Sequence, residues 1–113
     1  MFASIANTPE PPYWAVIFTA VREDADDGYA EMSRRMEELA AEQPGYLGVE
    51  SVRGADGTGI TVSYWATEES LHAWKANAEH RVAQRKGHEG FYKAWFTRVC
   101  KVERAYAFEL GSP

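Results

Sequence analysis

The spacing of apolar and polar residues divides the chain into alternating strands and helices. Residues 13–21, YWAVIFTAV, are rich in β-branched and aromatic types and are apolar at both parities, which predicts a strand covered on both faces. From Tyr29 to Ala40 apolar residues recur at helical spacing, with charged residues opposite them. This helix is expected to stop at residues 43–45, Gln-Pro-Gly, because proline disfavours helix at the preceding residue and glycine permits the turn.

A hairpin and a second helix follow. Residues 46–53 and 60–67 have the composition of strands, and the glycine-rich residues 54–59 between them predict a hairpin loop. Thr67, followed by two glutamates, is typical of a helix N-cap with an acidic first turn. The helix is expected to continue to about Lys86, because two glycines loosen the chain beyond it.

The final segment completes a recognisable order of elements. Residues 96–108 predict a long strand, so the order is β-α-β-β-α-β, the ferredoxin-like α+β arrangement. One domain is expected over residues 13–108. Residues 1–12, with three prolines and no periodicity, predict a flexible or loosely packed arm, and residues 109–113 form a C-terminal tail.

A four-stranded sheet with helices on one side leaves its other side bare. The first strand is nevertheless apolar on both sides, and the final strand adds further apolar surface. An exposed sheet of this kind would be a large adhesive patch. The pattern therefore predicts a homodimer in which two sheets pack face to face.

The second helix has two kinds of surface. Its apolar stripe is formed by Leu71, Trp74, Ala78 and Val82. A second arc of the helix surface is polar and contains Asn77, His80 and Gln84. His88 would join this arc if the helix stayed regular past Gly87. Beside a cleft between helix and sheet, this arc is able to orient a ligand; the alternative is that it faces solvent or a partner subunit.

Composition and charge exclude several classes of function. The formal net charge of -5, with scattered Lys and Arg, gives no concentrated basic face for nucleic acid. No apolar run approaches the roughly 20 residues of a membrane span, and residues 1–12 lack the pattern of a secretory signal. A cytoplasmic protein is expected, with Cys100 as a buried strand thiol. The three histidines are not spaced as a metal site.

Three stretches carry a resemblance to a known family. QPGYLGVES at 43–51, TVSYWATEESLHAWKANAEHRVAQRKG at 61–87 and RVCKVERAYAF at 98–108 resemble the antibiotic biosynthesis monooxygenase (ABM) domain. Within it, the NAEHxxAQxxG helix is similar to that of a group of small bacterial proteins without assigned activity. The resemblance implies a dimeric α+β barrel with a pocket between each sheet and its helices. It also implies either cofactor-free oxidation of phenols to quinones or binding and degradation of haem.

The haem-degrading pattern transfers only in part. Trp74 matches the family's pocket tryptophan, but the ligand position falls on Ala83 or Gln84 and the first-strand asparagine on Ile17 or Phe18. An amide is a poor iron ligand beside imidazole. We therefore expect no stoichiometric haem with a histidine ligand, although His80, one helical turn before Gln84, offers a shifted ligand.

The favoured hypothesis is a cofactor-independent monooxygenase acting on a small aromatic, polyketide-like molecule. In this hypothesis His80 is the general base, because an imidazole titrates near working pH, and Asn77 and Gln84 hold the oxyanion or peroxide. The residues expected to bind the substrate are Trp74, Tyr64, His88 and Tyr92. The alternatives are a haem-binding relative and a dimer that binds a small ligand without catalysis.

Overall fold

In the part of the chain that the structure describes, four antiparallel strands form one sheet, and two helices accompany it. In the computed structural model the described residues are 4–22, 29–86 and 92–111, and for Tyr29 and residues 79–86 the backbone alone is described. The elements are β1 (Tyr13–Arg22), α1 (Tyr29–Ala41), β2 (Tyr46–Arg53), β3 (Thr58–Trp65), α2 (Glu68–Lys86) and β4 (Tyr92–Val102). The order of the strands in the sheet is β2-β3-β1-β4. The predicted ferredoxin-like order is confirmed. Within the described residues, neither helix has the length and apolarity to cross a membrane.

The bounds of the last strand differ from the prediction. β4 begins at Tyr92 and ends at Val102, whereas the sequence predicted a strand over residues 96–108. The reason is pairing: β4 runs antiparallel to β1, whose first and last residues lie opposite Val102 and Tyr92. Beyond Val102 the chain has no β1 residue to pair with, so residues 103–109 form no regular structure.

The second helix begins at a side-chain cap, as predicted. The backbone N–H of Ser70 donates to Thr67 Oγ1 at 3.0 Å, and Ser70 Oγ donates to the Thr67 carbonyl at 2.8 Å. Gly45, in the turn after α1, lies directly against this cap with a φ of +83°. A Cβ at position 45 would lie 2.5 Å from the Ser70 side chain, so both backbone angle and space require glycine there.

The core lies between one face of the sheet and the helices. Trp65 and Leu71 are completely buried, and Trp65 stacks on Trp74 with ring centroids 6.0 Å apart. The indole N–H of Trp65 donates to Ser63 Oγ at 2.9 Å, so the polar atom of this buried ring has a partner. Val16 and Ala40 complete the buried cluster.

The opposite face of the sheet, here called the outer face, is covered near the N-terminal end of β1. Tyr13 and Ala15 of β1 are buried on this face. Part of the arm packs nearby: Thr8 Oγ1 donates to the Tyr13 hydroxyl at 2.8 Å, and the Ala6 N–H donates to Glu50 Oε2 at 2.9 Å. Residues 1–3 of the arm lie outside the described residues, and its expected flexibility stays a prediction.

Farther along β1, the outer face carries an exposed apolar row. The strand register aligns four residues across all four strands: Val52, Ile60, Thr19 and Phe96. Val52, Ile60 and Phe96 are 72%, 41% and 58% exposed. Cys100, predicted to be buried, is exposed because β4 is an edge strand of the described sheet.

Candidate functional site

A cavity of about 510 Å³ lies between the helix-facing side of the sheet and helices α1 and α2. We call it the sheet–helix cavity. Its size is that of a pocket for a small organic molecule, for which roughly 300–1,000 Å³ is typical. The ferredoxin-like order creates the space, because both helices return to the same face of the sheet.

The floor of the sheet–helix cavity is a band of hydroxyl groups. Successive strand residues point to opposite faces, so every second residue of each strand faces the helices. On β2, β3 and β4 these floor positions include Ser51, Thr61, Ser63 and Thr97. Ser51 Oγ and Thr61 Oγ1 are hydrogen-bonded at 3.0 Å across the β2–β3 pair. The floor therefore presents small groups that donate and accept hydrogen bonds.

The walls are aromatic and thioether side chains. Helix α1 contributes Met32 and Met36, and α2 contributes Trp74 and Ala78. Aromatic rings from β1 and β4 form the remaining wall. Phe18 meets Tyr92 edge to face at 5.4 Å and stacks on Trp95 at 6.1 Å, and all three rings line the cavity. These surfaces suit a flat, largely apolar ligand.

Charged side chains also line the cavity: Arg22, Arg53, Lys75 and Glu37. Arg22 is the last residue of β1 and Arg53 is the last residue of β2, and both belong to the helix-facing positions of their strands. The Arg22 N–H donates to the Gly57 carbonyl at 3.0 Å, which ties the end of β1 to the hairpin loop between β2 and β3. Both arginines therefore belong to one end of the sheet.

The structure places two of the predicted substrate-binding residues in the cavity wall. Trp74 and Tyr92 both line it. Asn77 does not: the described lining from α2 is Trp74, Lys75 and Ala78, and position 77 lies about 100° around the helix from Ala78. The side chains of His80 and Gln84, and all of His88, lie outside the described residues. Their roles stay predictions.

The predicted position of Tyr64 in the cavity wall is wrong. Tyr64 lies between Ser63 and Trp65, which face the helices, so its side chain points to the outer face. There its hydroxyl donates to Glu50 Oε1 at 2.7 Å. Burial raises the pKa of Tyr64 well above its ordinary value, and the hydrogen bond to Glu50 raises it further. Tyr64 is therefore a protonated structural donor on the side away from the cavity.

The hydroxyl floor and the arginines were missed in the sequence. The signal that identifies them is the period of two along each strand. Once Trp65 is assigned to the core, Ser63 and Thr61 must face the same way, and the hairpin pairing adds Ser51. In the same way, alternate residues of β1 share a face, so Arg22 lies on the same face as Val16 and Phe18.

The described residues offer little to a metal or to haem iron. They contain no group of three or more His, Cys, Asp or Glu side chains that could hold a metal ion. The described lining of the cavity contains no histidine or cysteine. Among the described lining residues, then, none is an imidazole or thiolate ligand for haem iron.

Comparison with protein families identifies most of the chain. The sequence model of the family described as "Antibiotic biosynthesis monooxygenase" matches residues 12–86. That stretch contains β1, both helices, the hairpin and all of the cavity lining except the β4 residues.

Curated relatives and solved structures agree with this match. The chain is 50% identical over 109 residues to the uncharacterized protein YqjZ of Bacillus subtilis, with 96% of each chain covered. It is 30% identical over 94 residues to the jasmonate monooxygenase ABM of Pyricularia oryzae, spanning 79% of this chain and 43% of that protein. The fold is similar to that of SnoaB, a cofactor-independent oxygenase from Streptomyces nogalater: the TM-score is 0.63 at 12% identity, over 90% of this chain and 100% of that chain.

Proposed function

Because the chain belongs to the antibiotic biosynthesis monooxygenase family, we propose that it is a monooxygenase that oxidises a small aromatic molecule in the sheet–helix cavity. One observation carries the proposal: the cavity combines aromatic and methionine walls with a floor of hydroxyl groups. This is the combination that an apolar ligand with a few oriented polar atoms requires. The names of the Pyricularia and Streptomyces relatives, a monooxygenase and an oxygenase, support the same class of reaction.

We further propose that the reaction needs no tightly bound cofactor. An electron-rich phenol such as a hydroxyanthrone is able to supply all the electrons for the reduction of dioxygen. Its methylene group becomes a carbonyl, one oxygen atom enters the product, and the other leaves as water. The protein then has to bind the phenol, remove a proton from it and keep water away from the intermediates.

The described residues suit the binding part of this task. Ser51, Thr61 and Ser63 are placed to hydrogen-bond the oxygen atoms of a flat ligand that lies on the floor. Trp74 is 8% exposed and borders the buried core, which keeps that part of the wall dry. The sequence assigns proton removal to His80, and this assignment is kept as a hypothesis for the test below; on a regular helix position 80 lies about 160° around α2 from the cavity residue Ala78. The exposed free thiol of Cys100 suits a reducing compartment, so the cytoplasm is part of the proposal.

A cavity-filling substitution tests the proposed site. Ala78 lines the cavity, whereas Ala76 lies on the exposed side of the same helix. We expect Ala78→Trp to lower oxygen consumption with hydroxyanthrones by about tenfold or more, because a large ring would occupy space that the substrate needs. Ala76→Trp, the matched control, should leave the rate unchanged. Circular dichroism of both variants checks that the fold is intact.

Two results would count against the proposal. Normal oxygen consumption by a folded Ala78→Trp variant would place the reaction elsewhere. Quenching of tryptophan fluorescence by aromatic compounds, with no oxygen consumed for any phenol tested, would identify a small-molecule binding protein instead of an enzyme.

We also propose that two copies associate through the outer face of the sheet. The exposed row of Val52, Ile60 and Phe96 lies across this face, beyond the part that the arm approaches. A second copy of the same face would remove these side chains from water. The segment after β4 provides further apolar surface for association. Its exposed large apolar side chains are Tyr106, Phe108 and Leu110, which are 88%, 82% and 85% exposed.

A further inference from the structure

In the described sheet, the outer face carries a negative charge on one edge strand and a positive charge on the other. The strand register places four residues in one row across the sheet: Glu50 of β2, Val62 of β3, Ile17 of β1 and Arg98 of β4. Ile17 lies between Val16 and Phe18, which face the helices, so this row belongs to the outer face. The neighbouring outer-face rows, through Ala15 and Thr19, contain no charged residue.

Within one subunit these two charges do not meet. Three strand spacings separate β2 from β4, which corresponds to about 14 Å at about 4.8 Å per spacing. Each side chain is instead held by neighbours on its own side of the sheet. Glu50 accepts the Tyr64 hydroxyl at 2.7 Å and the Ala6 N–H at 2.9 Å, and Arg98 Cζ lies 3.9 Å from the Phe96 ring centroid.

Both groups retain the capacity to bind a partner of opposite charge. A carboxylate has about four acceptor positions, and the two hydrogen bonds to Glu50 use one on each oxygen. A guanidinium that stacks on a ring uses its face, and its N–H donors lie in its plane. The outer face is therefore able to form ion pairs with another molecule that presents the opposite charges at the same separation.

A second copy of the same face presents such charges for one orientation of the two-fold axis. If the axis runs parallel to the strands, the strand order is reversed in the second copy, and β2 of each copy lies over β4 of the other. If the axis runs across the strands, each strand lies over its own counterpart. Ile17 is the middle outer-face residue of β1, so the charged row crosses the centre of the face in both cases. The first axis sets Glu50 against Arg98, whereas the second sets like charges against each other.

We propose that two copies associate about the axis parallel to the strands, with Glu50 of each copy paired with Arg98 of the other. Facing sheets lie about 10 Å apart, a distance that a glutamate and an arginine side chain span together. Opposite charges on facing surfaces fix the orientation of two partners and disfavour the alternatives. The inference rests on the proposed association through the outer face, and it identifies the contacts that orient the two copies.

Charge reversal tests this pairing. In Glu50→Arg or in Arg98→Glu, like charges meet at both contacts of the dimer. We therefore expect the dimer dissociation constant of either variant, measured by analytical ultracentrifugation, to rise about 100-fold or more. A variant with both reversals has opposite charges at both contacts again, and its dissociation constant should return to within about threefold of the wild-type value.

A mixture of the two single variants separates the effect of charge from local damage. Glu50→Arg also removes the acceptor of Tyr64 and Ala6, a change that by itself is able to weaken association. When the two variants are mixed in equal amounts, one copy presents two cations and the other presents two anions. We expect them to form a heterodimer, detected by energy transfer between fluorescent labels of two colours on the two variants.

Lys101→Glu is the matched control for a reversed charge on β4. Lys101 lies opposite Trp14 on the helix-facing side, with Nζ 6.0 Å from the ring centroid, so this variant should keep the wild-type dissociation constant. Single variants of Glu50 and Arg98 that dimerise as tightly as the wild type would overturn the inference. Monomeric single variants whose mixture also stays monomeric would overturn it as well, because opposite charges would then not restore the contact.

The state of the wild type distinguishes this inference from the proposals on which it depends. A monomeric wild type would overturn the association through the outer face, and the pairing of Glu50 with Arg98 along with it. The proposed oxidation in the sheet–helix cavity is tested separately, by oxygen consumption of the Ala78→Trp variant. A dimeric wild type whose single variants are also dimeric would overturn the pairing alone.

Discussion

Trp74 connects the core of the protein to the proposed site. One face of its indole stacks on Trp65, with the ring planes inclined by 23°, and its side chain also lines the sheet–helix cavity. A side chain that is 8% exposed and packed against a fully buried ring has little freedom to move. It therefore provides a fixed wall against which a flat substrate is able to lie. Contact with a substrate stays a prediction.

The general base is the residue on which the proposed reaction depends most. We expect His80→Ala to lower the turnover rate with hydroxyanthrones by about 100-fold or more, because general base catalysis contributes on the order of 100- to 10,000-fold. The affinity for an unreactive anthraquinone should change little. His72→Ala is the control, since His72 is exposed on the same helix with Nε2 3.4 Å from Glu68 Oε2. Full turnover in the His80 variant would remove His80 from the mechanism.

From the sequence, a residue could be assigned to the site only where a single spacing pattern determined which way its side chain faces. Trp74 is found by helical spacing, because it shares a stripe with Leu71 and Ala78. Tyr64 and Trp65 are adjacent aromatic residues on a strand, and composition alone does not tell which of them faces the helices. The answer depends on which side the helices cover, and that follows from the three-dimensional connection of β3 to α2.

Among the elements, α2 has the clearest start signal. Thr67 was predicted to cap the helix, and its hydroxyl accepts the N–H of Ser70. The same turn meets Gly45, whose carbonyl accepts the Ala66 N–H at 2.8 Å. The cap therefore fixes both the first turn of α2 and its junction with the turn after α1.

Removal of the cap should destabilise the protein. We expect Thr67→Ala to lower the free energy of unfolding by about 1 kcal/mol, because the Ser70 N–H loses its side-chain acceptor. Urea denaturation followed by circular dichroism measures this difference. Thr67→Ser retains the hydroxyl and should unfold within a few tenths of a kcal/mol of the wild type. An alanine variant as stable as the serine variant would contradict the assignment.

All six elements were predicted, and the largest error in their bounds occurred in β4. Local signals define α1, α2 and the hairpin: spacing, a cap, and turn residues. The bounds of β4 instead follow from the length of β1, its partner nearly 80 residues earlier in the chain. Residues 103–108 have the composition of a strand but no partner within the described subunit. Local composition therefore does not set the end of this strand.

At the scale of the whole molecule, the sheet separates two surfaces with different proposed roles. The helix-facing side holds the sheet–helix cavity, and the outer face holds the exposed row of Val52, Ile60 and Phe96. Arg98 lies over the ring of Phe96, with Cζ 3.9 Å from the ring centroid, so the edge of this row already pairs a cation with an aromatic ring.

Association through the outer face predicts a specific effect of charge. In light scattering at micromolar concentration, we expect the wild type at twice the chain mass of 12.7 kDa and Phe96→Glu at the mass of one chain. Phe96 is 58% exposed in the isolated subunit, so the substitution should not unfold it. Val99→Glu is the matched control, because Val99 is 41% exposed on the same strand but lies opposite Val16 and faces the helices. A wild-type monomer, or a dimeric Phe96→Glu variant, would contradict the proposed interface.

The alternation along β1 has a consequence for how such a protein diversifies. Phe18 and Ala20 border the cavity, and Thr19 between them belongs to the outer row. Adjacent residues of β1 therefore belong to separate surfaces. If the two surfaces have the proposed functions, a substitution at a cavity position should change selectivity for a ligand and leave the dimer interface intact, and a substitution at the adjacent position should do the reverse. A single-residue insertion in β1 would exchange the two surfaces downstream of it and damage both at once. In a lineage of such proteins, the effect of a substitution in β1 should therefore alternate from one residue to the next between the two surfaces. Insertions and deletions in β1 should be rare.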